Sequence, residues 1–116
     1  EVCTMKKINF ADFEKVKIAV GTILNVEDFP EAIKPAFKLK LDMGNAIGIK
    51  NSSAQITGLY SKANLIGKQV LVVINLPTKK IGPFESECLV TGFYNNDGNV
   101  VLVSPDEKIA NGTILG

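Results

Sequence analysis

The spacing of apolar residues divides the chain into a short helical opening and a series of strands. Asn9 suits an N-cap, and Asp12 stands at N3, where a capping box places Glu or Gln. Ile8 and Phe13 occupy the N′ and N4 positions of a hydrophobic staple. Phe10 and Phe13 share one face of that helix and are expected to press onto the body of the fold. From Val16 the period is two. Val16, Ile18, Val20, Thr22, Leu24 and Val26 alternate with Lys17, Ala19, Gly21, Ile23 and Asn25, predicting one long strand whose glycine marks a bend. Glu27–Pro35 contains two prolines and reads as a loop. Phe37, Leu39, Leu41 and Met43 then alternate with Lys38, Lys40 and Asp42. One face of that strand is apolar; the other carries two lysines about 6.5–7 Å apart, a span that suits neighbouring phosphates.

Asn45 begins a turn into Ala46–Lys50, and Ser52 or Ser53 is expected to cap a short helix in the segment that follows. Gln69–Leu76, the most hydrophobic run, predicts a central strand buried on both sides. Pro77–Pro83 reads as a loop holding Lys79 and Lys80, and Glu87–Tyr94 as a strand. Asn95-Asn96-Asp97-Gly98 is a hairpin turn, Asn99–Val103 returns, and Pro105 onward is a mostly irregular tail. This pattern predicts an all-β fold: a five-stranded OB-type Greek-key barrel with a short N-terminal helix and a small helix between strands three and four. An SH3-like barrel is the nearest competitor, and the segment at residues 52–66 argues for the OB type.

Composition narrows this picture. The 116 residues fit one domain, large enough to form a core without metal or disulfide staples. No apolar run approaches the ~20 residues that cross a bilayer, and nothing resembles a secretory signal, so no membrane association is expected. Met5-Lys6-Lys7-Ile8 reads as a natural start, which makes Glu1–Thr4 either an expression remnant or an upstream extension. Cys3 and Cys88 lie far apart without metal-ligand spacing, and histidine is absent, so neither a metal nor any other cofactor is expected. A reducing cytoplasm is the simplest compartment for that cysteine usage.

The net charge of +1 hides a strong asymmetry. Residues 34–80 hold eight lysines against the single acid Asp42, whereas residues 1–33 and 81–116 are acidic on balance. A basic block between acidic flanks attracts a phosphate backbone, or simply keeps a barrel solvated. All thirteen basic residues are lysine. Bidentate guanidinium readout of bases is therefore unavailable, and any nucleic acid would be recognised by shape more than by sequence.

Catalytic chemistry is missing. Without histidine the commonest general base is absent. Gly67-Lys68 lacks the spacing of a Walker loop, and Ser52 and Ser53 have neither a Gly-x-Ser-x-Gly frame nor a base. Glu85 and Glu87, the most obvious acid pair, should share one strand face as solvated carboxylates. The reading is a binding module and not an enzyme.

Several segments in order carry a family pattern. They are Phe13-Glu14-Lys15, Val20-Gly21-Thr22-Ile23, Phe29-Pro30-Glu31-Ala32, Ile47-Gly48-Ile49-Lys50 and Ser52-Ser53-Ala54-Gln55-Ile56-Thr57. Lys68-Gln69-Val70, Asn75-Leu76-Pro77, Ser86-Glu87 and Asn111-Gly112-Thr113 continue it. Over residues 13–116 the chain resembles the tRNA-binding domain family, and its Ser-Ser-Ala-Gln stretch resembles the CsaA type, small bacterial export-related chaperones. Residues 1–12 are then an N-terminal extension and helix start. The resemblance implies an OB barrel that forms a homodimer through segments at both chain ends, binds tRNA by shape, and in the CsaA type also holds unfolded or precursor polypeptides. The positions matching the family's ligand face are Lys38, Lys40, Lys50, Ser52, Ser53, Gln55, Asn75, Lys79, Lys80, Ser86 and Glu87. Lysines there would neutralise phosphates, and hydroxyls and amides would reach 2′-hydroxyls or base edges. For Ser52, Ser53 and Ser86 the alternative is turn or helix capping, and for Asn75 a structural hydrogen bond at a strand end. Lys17-Ile18-Ala19 stands where the family has Asp-Ile-Arg, Cys88-Leu89 where it has Gly-Met, and Lys79-Lys80 where it has an arginine pair.

Two functions follow from these residues. The first is shape-led binding of tRNA through a lysine-rich barrel face, with Phe37 pointing inward and Tyr60 and Phe84 left as the stacking platforms. The second is a dimeric chaperone that takes unfolded or export-precursor polypeptides beside the basic site, through Ile81 and Phe84.

Overall fold

Asn9 starts the first element through its side chain. In the computed structural model, which describes residues 5–116, the Asn9 carboxamide oxygen accepts a hydrogen bond from the Asp12 amide at 2.8 Å and opens helix α1, Phe10–Glu14. The expected packing of its aromatic face is corrected: Phe10 is 66% and Phe13 40% exposed, neither belongs to the buried core, and the two rings tilt against each other with centroids 5.9 Å apart. What ties the helix down is polar. Asn75 accepts from the Lys17 amide at 3.0 Å and donates to the Lys15 carbonyl at 2.6 Å, so the end of α1 is held by its backbone and its rings stay outside.

Strand β1 spans Ile18–Asp28 and pairs antiparallel with β2, Phe37–Asp42, and with β4, Gln69–Val73. Its register against β2 shifts between Ile23 and Asn25, leaving Leu24 in a bulge. The bulge explains why simple alternation fails here. Ala19, Gly21 and Ile23 face the core ahead of it and Val26 beyond it, while Leu24 is turned outward. Gly21 is needed for close approach, because a Cβ there would collide with the Met43 sulfur. β2 keeps the expected phase without interruption: Phe37, Leu39, Leu41 and Met43 are all buried.

The main sheet has the order β3-β2-β1-β4-β7, where β3 is Ile49–Ala54 and β7 is Leu89–Val90. β3 curls back toward β7, and the Glu87 amide donates to the Asn51 carbonyl at 2.8 Å, so the sheet becomes a nearly closed antiparallel barrel of the OB type. Ser52 and Ser53 lie in β3 and cap nothing, which corrects the helix expected there. The small helix between the third and fourth strands is α2, Lys62–Leu65, capped reciprocally by Ser61 and Asn64, and its Leu65 is fully buried against the barrel.

Two hairpins complete the fold. β5, Lys79–Ile81, pairs with β6, Phe84–Ser86, across Gly82-Pro83, where the sequence suggested a plain loop. β8, Gly92–Tyr94, pairs with β9, Val100–Leu102, across the expected Asn95–Gly98 turn. The strand expected over Glu87–Tyr94 is therefore broken at Thr91, whose amide and hydroxyl both donate to the Leu71 carbonyl. The tail lacks regular structure but lies along β1. Gly112 donates to the Val20 carbonyl, Val20 to Thr113 and Leu115 to Ile18, and the Gln69 side chain grips Ile109 from both sides. Gly44 and Gly112, at φ 88° and 89°, let the β2–β3 turn and this strap meet backbone to backbone. Among the described residues no helix is long and apolar enough to cross a membrane.

Candidate nucleic-acid interface

Cross-strand partners in an antiparallel sheet share a face, so the register decides which side chains can meet one ligand. On the outer face of the barrel Glu27, Lys38 and Ser53 form one row, and Asn25, Lys40 and Asn51 form the next. Lys38 is not a free cation. Its ammonium lies 3.7 Å from the Glu27 carboxylate and 5.6 and 5.9 Å from the centroids of the Phe29 and Phe84 rings. Those rings meet edge to face at 5.3 Å. The β1–β2 connection and the β5–β6 hairpin thus close over the outer face of β2 at Lys38. Lys40, one pleat away, is exposed.

The β5–β6 register separates two neighbours in sequence. Lys79 lies opposite Ser86 and Ile81 opposite Phe84, all on one face of the hairpin; Lys80 lies opposite Glu85 on the other. Lys79 therefore faces a groove of about 680 Å³, and Lys80 faces away beside an acid. Ser53, Gln55, Ile81 and Ser86 also line this groove, together with Leu76, Leu89 and Tyr94.

Four of the sequence-predicted residues are committed elsewhere. Ser52 is fully buried, its hydroxyl donating to the Cys88 carbonyl at 2.9 Å. Asn75 has both polar atoms engaged at the end of α1. Glu87 accepts from the Asn51 amide at 2.9 Å, and the Ser86 hydroxyl accepts from the Ser53 amide at 3.1 Å. These bonds close the barrel between β3 and residues 86–88. Lys50 is half-buried on β3, away from the Lys38–Lys40 face. Its charge lowers the pKa of Cys88 slightly, against burial, which pushes that thiol up to about 11 with the help of Glu87. A thiol so protonated is no nucleophile at neutral pH.

The aromatic inventory also changes. Tyr60 is no stacking platform: its ring packs on the core and its hydroxyl accepts from the Leu102 amide at 3.0 Å. Phe84 is half-buried against Phe29. Tyr94, 77% exposed, and Phe93, 70% exposed, are the open rings of the β8–β9 hairpin. Both were hidden in the sequence because they fall inside a run that reads as one continuous strand. Glu27 and Phe29 were hidden too, since only the β1–β2 register and the hairpin fold bring them to Lys38.

Residues 18–114 match the family model described as "Putative tRNA binding domain". Methionine–tRNA ligase of Flavobacterium johnsoniae is 36% identical over 108 residues, 93% of this chain, and the chain spans only 15% of that relative's length. The crystal structure of the CsaA chaperone of Picrophilus torridus superposes with a TM-score of 0.89 at 49% identity, covering 95% of this chain and 100% of that one. The CsaA chaperone from Bacillus anthracis gives the same TM-score at 41% identity, over 96% and 100% of the two chains. With residues 18–114 matched by the family model and CsaA structures superposing over 95–96% of the chain at 41–49% identity, the chain belongs to the tRNA-binding domain family and is of the CsaA type.

Proposed function

We propose that this chain is a non-catalytic module that binds folded RNA, tRNA in particular, on the outer face of β1–β3 and on the adjoining face of the β5–β6 hairpin. The observation that carries this reading is the meeting of the β1–β2 connection and the hairpin over Lys38. In OB barrels these are the loops that flank an oligonucleotide surface. Lys40 on the strand and Lys79 on the hairpin offer charges to phosphates on either side of that junction. The family membership points the same way. With lysine as its only basic residue type, recognition rests on backbone shape. A titration with folded tRNA, single-stranded RNA and duplex DNA at two salt concentrations tests this. The expected result is a preference for tRNA whose log affinity falls by roughly 0.7–0.9 per log salt for each neutralised phosphate. Equal, feeble binding to all three would overturn it.

A second reading, a dimeric chaperone for unfolded polypeptides in a reducing cytoplasm, is favoured by one feature. Leu76, Ile81 and Leu89 give the groove an apolar side. Phe10 and Phe13 on α1 and Ile114 and Leu115 on the strap stand exposed near the two chain ends, where a second copy would cover them. Sedimentation at micromolar concentration and suppression of aggregation of a reduced client protein test the dimer and the chaperone activity separately.

A further inference from the structure

The strands of the β8–β9 hairpin sort its side chains onto two faces. Gly92 pairs with Leu102 and Tyr94 with Val100, and Leu102 is buried, so these four face the barrel side; Phe93 and Val101 face away. Gly92 has no Cβ, and one there would collide with the Val100 side chain. Tyr94 and Val100 consequently line the groove of about 680 Å³, with the Tyr94 side largely open. Lys79 stands in the same groove on the β5–β6 hairpin. Ser53, Gln55 and Ser86 line it from β3 and β6. Ser86 spends one lone pair on the Ser53 amide and its proton on the Cys88 carbonyl at 3.4 Å. Gln55 is exposed, and among the described residues its amide has no hydrogen-bond partner.

We infer that this groove is a site for a single unstacked nucleotide of a bound RNA, with its base on the Tyr94 ring, its edge toward Gln55 and Ser53, and its phosphate on Lys79. The inference rests on the RNA-binding reading above and extends it beyond the strand face to a second, base-contacting site. Three features choose a nucleotide over a peptide segment. A cation, an exposed aromatic face and an unused amide converge in one concavity, and that set matches the phosphate, π face and hydrogen-bonding edge of one nucleotide. The volume lies in the range that admits a small ligand of this kind. The acidic side chains nearest in sequence, Glu85 and Glu87, do not line it.

The protein supplies its own probe. It contains no tryptophan and two tyrosines, and Tyr60 is tied into the core, so ligand-dependent tyrosine emission reports Tyr94. Adenosine 5′-monophosphate should quench it, whereas ribose 5-phosphate, which lacks the base, should not. Tyr94→Leu should weaken tRNA binding about 5- to 150-fold, the loss of one base–aromatic stack, while Tyr94→Phe retains wild-type affinity. The exposed ring makes both variants tolerable to the fold, which circular dichroism checks. If wild-type protein binds tRNA and Tyr94→Leu binds it equally well, the base site is refuted and the RNA reading stands. If wild-type protein fails to bind tRNA at all, the parent reading falls first. Quenching by a reduced, carboxymethylated polypeptide but not by the nucleotide would assign the groove to peptide and overturn the inference.

Discussion

The rings of Phe29 and Phe84 meet edge to face with centroids 5.3 Å apart, joining two loops that are separate in sequence and placing Lys38 beneath both. An edge-to-face pair of this kind contributes about 0.5–1.5 kcal/mol beyond its buried area. Phe84→Ala should therefore lower stability by about 1–3 kcal/mol in a denaturant titration. Amide exchange should accelerate in residues 79–86 before it does in β1 or β2.

Lys38 divides its charge between Glu27 and any phosphate. Glu27→Gln removes the competitor at 3.7 Å and should tighten tRNA binding by about two- to fivefold at low salt, in line with the worth of an exposed ion pair. Lys40→Gln should weaken binding and reduce the slope of log affinity on log salt by about one. An unchanged slope would remove Lys40 from the phosphate contacts.

Ser52 separates structure from recognition. Its hydroxyl is buried and donates to the Cys88 carbonyl. Ser52→Ala should cost about 0.5–1.5 kcal/mol of stability by removing the shorter of the two hydroxyl bonds to that carbonyl, the Ser86 hydroxyl remaining at 3.4 Å, and should leave RNA affinity unaltered when measured well below the melting midpoint.

Gln69 holds the strap. It donates to the Ile109 carbonyl at 2.6 Å and to Asn111 at 3.0 Å, and accepts from the Ile109 amide at 3.1 Å. Gln69→Leu should release residues 109–115 from β1. The expected readout is faster exchange of the Val20, Gly112 and Leu115 amides, with the β2–β3 amides unaffected.

Cys88 makes stability fall at alkaline pH. Burial raises its thiol from 9.0 to about 11 in the folded protein, so well below pH 9 the thiol is protonated in both states and contributes no pH dependence. As pH rises from 9 toward 11 the unfolded thiol ionises first, and the folded state loses stability relative to it. Cys88→Ser or Cys88→Ala should flatten that part of the curve. At pH 8 a thiol reagent should label Cys88 only at the rate of unfolding.

The relation between sequence and structure differs from element to element. In β2 the alternation of Phe37, Leu39, Leu41 and Met43 with lysines survives intact, because β1 and β3 pair with it along its length and nothing interrupts the pleat. The Asn95–Gly98 turn and the Asn9 cap were equally legible, since each depends on side-chain bonds to a backbone only two to four residues away. β1 was not. A register shift at Leu24 reverses which residues face inward, and that shift depends on how β1 meets β2.

The candidate site shows the same division. Lysines on an outer strand face follow from period two alone, and so does the barrel they sit on. That Lys79 and Lys80 face opposite ways, that Ser52 and Asn75 are spent on internal bonds, and that Tyr94 opens onto the groove all follow from pairings between distant segments. Local periodicity and capping are written in neighbouring residues. Which loop closes over which strand depends on contacts between residues some 36 to 60 positions apart, and these exist only once the barrel has formed.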